Sequence, residues 1–162
     1  MPRKNIKAIV RPKVHWSREN KGCSFTVGNA LLNEVFQGGT IIVPPSTTQG
    51  VRTVGRWSIT VPVPAAQTSA EIFWAIVYVP QGTSANALFA TTQTRDGSLY
   101  EPNQFVLASG LTDATAGPIR IRSNMKRRLH SGDFVSLIIG YNATQAPTLP
   151  VNALVSYSVK YN

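Results

Sequence analysis

The feature that most restricts the fold of this chain is a regular alternation of apolar and polar residues near its C-terminus. From position 151 to 161 the odd positions carry apolar or aromatic side chains and most even positions carry polar ones. The same period appears earlier, where Trp57, Ile59 and Val61 alternate with Arg56, Ser58 and Thr60. A period of two is that of a β-strand with one buried face. The pattern therefore predicts an all-β chain.

Other segments extend this prediction. Residues 72–79 (IFWAIVYV) are an unbroken apolar run, which is typical of a strand that is covered on both faces. Residues 29–36 (NALLNEVF) fit either one or two helical turns or an irregular strand, and both interpretations stay open. Shorter strands are predicted at 24–27, 105–108, 119–122 and 134–141. Six or seven strands, with room for an eighth, favour a sandwich of two packed sheets.

Length and composition predict one β-domain that follows a short arm. The 162 residues suffice for one well-buried core and are too few for two ordinary domains. We place an N-terminal arm at 1–21 and the folded domain at 22–162. The single cysteine, Cys23, excludes an intramolecular disulfide and suits a reducing compartment. We expect no membrane span and no secretory signal, because no apolar run is long enough.

The positive charge is concentrated in two places. Residues 1–21 contribute +6 and residues 120–128 contribute +5, whereas the other positions sum to −2 and the whole chain carries +9. This distribution is typical of a protein that meets a polyanion on one side, and nucleic acid is favoured over an anionic membrane surface. The candidate phosphate contacts are Arg3, Lys4, Lys7, Arg11, Lys13, Arg18 and Lys21 in the arm, and Arg120, Arg122, Lys126, Arg127 and Arg128 in the second cluster.

Aromatic residues could add base stacking to these charges. Trp57 and Trp74 lie in apolar patterns, which predicts that they belong to the core. For Trp16 and Tyr100 the pattern leaves stacking and burial equally open.

The sequence does not favour an enzyme, and we expect no metal and no cofactor. The two histidines, His15 and His130, lie far apart, and with one cysteine they do not make a typical zinc site. A carboxylate pair of Glu71 and Glu101 is conceivable only if the fold brings them together. The glycines form neither of the common phosphate-binding motifs.

Three blocks of the chain resemble the capsid proteins of circular, replication-initiator-encoding single-stranded DNA viruses, especially relatives of circoviruses. The blocks are 75–83 (AIVYVPQGT), 99–110 (LYEPNQFVLASG) and 120–137 (RIRSNMKRRLHSGDFVSL), which together cover about a quarter of the chain. The resemblance implies a single jelly roll of eight strands in two sheets. It also implies a viral coat protein that assembles, as about 60 copies, into a small icosahedral shell around single-stranded DNA. The basic arm would then face the genome inside the virion, and assembly would take place in the host nucleus.

One feature departs from this resemblance, and other functions remain open. Members of that family begin with a longer, arginine-rich arm, whereas this arm mixes lysine, arginine and apolar residues. A coat protein of a small satellite RNA virus fits the size and charge equally well. From another class, a monomeric or dimeric nucleic-acid-binding β-domain would also carry a one-sided charge. The sequence does not indicate the host, the receptor or the shell symmetry.

Overall fold

The structure is a computed structural model, and it describes residues 15–29, 35–62, 71–83, 105–113, 117–142 and 149–161. These ranges contain strands and no helix, as the alternation predicts. The strands are β1 (Ser17–Asn29), β2 (Val35–Val43), β3 (Arg52–Val61), β4 (Glu71–Val79), β5 (Phe105–Asp113), β6 (Ile119–Leu129), β7 (Phe134–Asn142) and β8 (Leu149–Tyr161).

The eight strands form two antiparallel four-stranded sheets. The first, sheet 1, has the order β1-β8-β3-β6, and the second, sheet 2, has the order β5-β4-β7-β2. The sheets share one corner, where Gly28 and Asn29 at the end of β1 pair with Gln37 and Phe36 of β2. The predicted two-sheet β-sandwich is thereby confirmed.

The core lies between the two sheets and follows the predicted alternation. In β3, Trp57, Ile59 and Val61 are buried, while Ser58 and Thr60 on the other side are half-buried. In β8 the odd residues from Val151 to Val159 are buried and join the same hydrophobic cluster. Burial of each such side chain stabilises the fold by about 1.5–3 kcal/mol. Strands β3 and β8 thus turn alternate side chains toward the core.

Strand β4 is covered on both faces, as its unbroken apolar run predicts. Ile72 and Ile76 belong to the main core, whereas Ala75 and Val77 point to the opposite side of sheet 2. There they are fully buried and pack with Ile138 of β7. The two outer faces of the sandwich therefore differ, since that of sheet 2 is apolar at β4 and β7.

Strand β5 is longer than the sequence predicts. The prediction placed its end before Gly110, yet the strand continues to Asp113. Gly110 pairs with Trp74, and a Cβ atom at Gly110 would lie only 2.5 Å from the Trp74 indole. The glycine therefore makes room for a large neighbouring ring, and it does not mark a turn.

The predicted boundary of the arm falls inside β1. Residues 17–21 pair with residues 155–159 of β8, so this part of the arm belongs to sheet 1. These five residues show no apolar alternation, and four of them are exposed. Residues 1–14 lie outside the described residues. The same holds for residues 30–34 of the segment predicted as helix or irregular strand, whose described neighbours belong to β1, which ends at Asn29, and to β2, which begins at Val35.

Candidate nucleic-acid interface

The second basic cluster lies on β6, an edge strand of sheet 1. Ile119 and Ile121 enter the core, so Arg120 and Arg122, which alternate with them, point outward and are exposed. Farther along the strand, Lys126 pairs with Gly55 and Arg128 with Thr53, and both cations are exposed. One strand therefore presents four cations to the solvent on a single face.

Neighbouring strands add cations to that face. Arg18 of β1 pairs with Ser158, which in turn pairs with Gly55, so Arg18 and Lys126 lie in the same row across the sheet. Lys160 of β8 pairs with Thr53, in the row of Arg128. We define the basic face as the outer-face cations of sheet 1: Arg18, Arg56, Arg120, Arg122, Lys126, Arg128 and Lys160.

Within the described ranges, no acidic side chain shares the basic face. Glu19 pairs with the buried, inward-pointing Tyr157, and Asp133 is buried. Glu71 and Asp113 belong to strands of sheet 2. Unbalanced like charges on one surface attract a polyanion and release its counterions on binding. The basic face thus has the electrostatic character of a phosphate-binding surface.

Arg56 reaches the basic face through a β-bulge. Its φ of 56° lies in the left-handed region, and the pairing of β3 with β6 shifts between Gly55 and Trp57. Relative to β8 the bulge adds one residue to β3, and Trp57 still points into the core. Arginine in this conformation costs about 1 kcal/mol relative to glycine. Strain at a non-glycine residue fits a side chain that has a function.

We expect Arg56→Gly to be more stable than Arg56→Ala by about 1 kcal/mol, because only glycine relieves the backbone strain. Both variants remove the charge, so both are expected to bind single-stranded oligonucleotides less tightly than the wild type. Urea denaturation measures the stability of both variants, and fluorescence anisotropy measures their affinity for the oligonucleotide. Equal stability of the two variants would show that the bulge is not strained.

Trp16 lies over the basic face and is half-buried there. The Arg56 guanidinium carbon is 5.4 Å from the centroid of its ring, and the ammonium groups of Lys126 and Lys160 are each 5.6 Å from it. Cations within about 6 Å of an indole are attracted by its negative face. Three strands, β3, β6 and β8, therefore each contribute one cation around a single aromatic ring.

Two of the predicted phosphate contacts point away from the basic face. Arg127 pairs with the inward-facing Val54, and its guanidinium carbon lies 4.2 Å from the centroid of Tyr78 and 5.2 Å from that of Phe105. Lys21 donates a hydrogen bond from Nζ to the Ile41 carbonyl, 3.0 Å away. Both side chains connect sheet 1 to sheet 2, and we leave them out of the proposed interface.

The structure brings Arg18, Arg120, Arg122, Lys126 and Arg128 together on the basic face. The arm contacts Arg3, Lys4, Lys7, Arg11 and Lys13 lie outside the described residues, and so does Tyr100. Trp57 is buried and Trp74 packs against the core, which confirms the prediction for both rings.

Sequence reasoning missed Arg56 and Lys160 as members of this surface. The alternation already places both on the outward side of their strands. It does not tell which strands are neighbours, and β8 lies next to β3 although about a hundred residues separate them. For Arg127 the signal was present, since it shares the odd positions of Ile119 and Ile121 in β6.

A buried carboxylate holds the turn that follows β6. Asp133 accepts hydrogen bonds from the backbone N–H of His130 at 2.8 Å, from the backbone N–H of Gln81 at 3.1 Å and from the Tyr78 hydroxyl at 2.9 Å. The Arg52 guanidinium donates to the carbonyls of Pro44 and Asp133 beside it. This network attaches the end of the basic strand to sheet 2.

The network also affects the acidity of Tyr78. Burial, with a further contribution from the Asp133 carboxylate, raises the pKa of the Tyr78 hydroxyl above 10, and the opposing effect of Arg127 is smaller. The pKa of Tyr157 is raised as well, mainly by burial and then by Glu19. Both hydroxyls therefore keep their protons longer in the folded state than in the unfolded chain.

We expect the free energy of unfolding to fall as the pH rises above 10. The stabilisation by these neutral tyrosines is complete below the unfolded pKa of 10 and is lost as the pH rises through the raised folded values. Each tyrosine adds a slope of at most about 1.4 kcal/mol per pH unit. Tyr78→Phe should be less stable at neutral pH and should show a shallower alkaline slope in urea denaturation. An unchanged slope would contradict this assignment.

Among the described residues, the histidine, cysteine and acidic side chains do not assemble a metal site. No group of three His, Cys, Asp or Glu side chains among them could hold a metal ion. Cys23 is buried in the core, and His130 is exposed at the turn, where its backbone N–H binds Asp133. Glu101, the proposed partner of Glu71, lies outside the described ranges. In the part of the chain that the structure describes, no helix could cross a membrane.

Comparison with known proteins adds no family assignment to this geometry. No protein-family model matches the sequence, and no curated protein matches it at a significant level.

Proposed function

We propose that this chain is a viral coat protein, a jelly roll that assembles with copies of itself and encloses single-stranded DNA through sequence-independent phosphate contacts. The observation that carries the proposal is the basic face, seven cations on one side of the sandwich with no acid among the described residues there. The choice of DNA over RNA, and of a coat over another binding protein, rests on the sequence resemblance described above.

The order of the strands supports the jelly roll. In a jelly roll, eight strands form two Greek keys, so that strands distant in sequence are neighbours in each sheet. Here the first strand lies beside the last, and the third strand lies between the last and the sixth. In sheet 2, β7 lies between β4 and β2 in the same manner. This order of neighbours supports the proposed jelly roll.

The two outer faces of the sandwich support a definite orientation in a shell. The outer face of sheet 1 carries cations and small polar side chains, and it therefore attracts phosphates. Sheet 2 has an apolar outer face around Ala75, Val77 and Ile138, with no cation on it among the described side chains of β4 and β7. The basic face would therefore point to the genome, and sheet 2 away from it.

The charge on this face is of the right order for a small genome. Sixty copies would carry about 420 positive charges on their basic faces, each able to offset about one phosphate, and a gene for this chain alone takes about 490 nucleotides. A genome that also encodes replication exceeds this number. The arm residues Arg3, Lys4, Lys7, Arg11 and Lys13 would add further charge.

Sedimentation velocity with simultaneous absorbance at the nucleic-acid and protein maxima tests the proposal. We expect one fast boundary of megadalton mass with excess absorbance at the nucleic-acid maximum. Nuclease treatment of dissociated particles should remove this excess. A boundary near the 17.6 kDa monomer or its dimer, at low and moderate salt, would contradict the coat-protein proposal. If that small species still bound oligonucleotides, it would favour the monomeric or dimeric binding domain.

A further inference from the structure

Trp16 is placed as a contact for a ligand rather than as part of the core. Trp57 and Trp74 face the interior, whereas the hydrophobic clusters of the described residues do not include Trp16. It precedes β1 and lies over the outer face of sheet 1, at the centre of three cations. We propose that Trp16 stacks on an unpaired nucleobase while Arg56, Lys126 and Lys160 bind the adjacent phosphates, an inference that rests on the proposed binding of nucleic acid.

The three cations around Trp16 repel one another, so an anion that binds among them would stabilise the cluster. Each lies within 5.6 Å of the same ring centroid, so no two of them can be more than about twice that distance apart. Their mutual repulsion is screened only over about 8–10 Å at moderate salt. The described acidic side chains lie elsewhere, and the indole face compensates each cation by only about 0.5–1 kcal/mol at an exposed site. Phosphate groups would neutralise this cluster.

A base that stacks on the indole would displace the cations that now lie over the ring. A stacked base lies about 3.5–4 Å from the ring, closer than the 5.4–5.6 Å at which the cations now lie. Lys126 is exposed and Lys160 half-buried, and both have flexible stems that can swing from the ring to a phosphate. A base can therefore replace them on the ring while their charges move to the strand on either side of it.

This arrangement would distinguish single strands from duplexes. In a duplex each base is already stacked on its neighbours and its faces are not available to a side chain. In a single strand every base has a free face, and stacking on an aromatic residue is independent of sequence. The basic face alone attracts both forms, so the preference for single strands would depend on Trp16.

The test uses the full chain and three probes: a ten-residue oligothymidylate, inorganic polyphosphate of similar charge, and a DNA duplex. We expect Trp16→Leu to weaken oligothymidylate binding about 5- to 100-fold. Its salt dependence should be unchanged, because no charge is removed. Binding of polyphosphate and of the duplex should change less than about twofold. Trp16→Phe keeps a ring and should retain most of the oligothymidylate affinity.

Leu154→Ala is the matched control, since Leu154 is 59% exposed on the same outer face and carries no ring. Equal losses for oligothymidylate and polyphosphate in Trp16→Leu would overturn the proposal, because Trp16 would then only position the cations. Unchanged oligothymidylate binding would overturn it as well. If Trp16→Leu does not fold, tryptophan fluorescence of the wild type decides: quenching by oligothymidylate but not by polyphosphate supports stacking, and equal quenching refutes it.

These results separate the stacking proposal from the coat-protein proposal. Loss of single-strand preference in Trp16→Leu, in a protein that forms no shell, would support stacking and contradict the coat protein. If the wild type forms a shell filled with nucleic acid and the Trp16→Leu variant binds oligothymidylate normally, the coat-protein proposal is supported and stacking is contradicted.

Discussion

Asp133→Ala is expected to lower the free energy of unfolding by about 3–5 kcal/mol, because three donors lose their buried acceptor at once. The side chain is 4% exposed and accepts from Tyr78, Gln81 and His130. Removing it leaves the Tyr78 hydroxyl and two backbone N–H groups without that partner. Urea denaturation followed by tryptophan fluorescence measures the effect. The free energy of unfolding of Asp133→Asn should lie between those of the wild type and Asp133→Ala, because the amide keeps one acceptor oxygen.

Asn124→Ala is the control for this prediction. Asn124 has nearly the same size as Asp133, but it is exposed on β6. Truncation there should change the stability by no more than about 0.5 kcal/mol. A change below about 1 kcal/mol in Asp133→Ala would mean that water replaces the carboxylate, and that the turn after β6 does not depend on it.

Removing four charges from β6 is expected to produce the largest change in binding. In the variant with Arg120→Gln, Arg122→Gln, Lys126→Gln and Arg128→Gln, the affinity for single-stranded DNA at about 0.1 M salt should fall by two to three orders of magnitude. The slope of log affinity against log salt should decrease by about 3, since each phosphate contact on a single strand contributes about 0.7. Fluorescence anisotropy of a labelled oligothymidylate across a salt series measures both quantities.

The matched control conserves the charge at every position. Arg120→Lys, Arg122→Lys, Lys126→Arg and Arg128→Lys together should keep the salt slope within about 1 of the wild-type value, because phosphate neutralisation depends on charge and not on the shape of the side chain. A similar loss in this control would indicate shape-specific contacts. A glutamine variant with an unchanged slope would show that nucleic acid binds elsewhere on the chain.

A series of contacts links Asp133, in the turn after β6, to the basic strand itself. Asp133 binds Tyr78, and the Tyr78 ring packs against the Arg127 guanidinium at 4.2 Å. Arg127 lies between Lys126 and Arg128, which point to the other side of the same strand. The inward side chain therefore fixes the strand against sheet 2, and its two neighbours are presented to the solvent. We therefore expect Asp133→Asn to lower the free energy of unfolding but to change the affinity of the folded protein for DNA much less.

The residue pattern by itself determined which side chains of one strand share a face. Because side chains alternate along an extended backbone, Arg120 and Arg122 had to oppose Ile119 and Ile121, and Trp57 had to enter the core. The same rule determined the all-β class and the burial of β4 on both faces. The same rule puts Arg127 on the inner side of β6, which the prediction of Arg127 as a phosphate contact overlooked.

Only the tertiary structure decided which strands are neighbours, and therefore which charges meet. Backbone hydrogen bonds between strands are nearly the same for any pair of residues, so the sequence does not encode pairing in a local pattern. Lys160, Arg56 and Lys126 come from three distant segments and converge only because β3 lies between β8 and β6. The length of β1 and the bulge at Arg56 likewise depend on partners far away in the chain, because strand pairing and packing, not local preference, determine where a strand begins and bends.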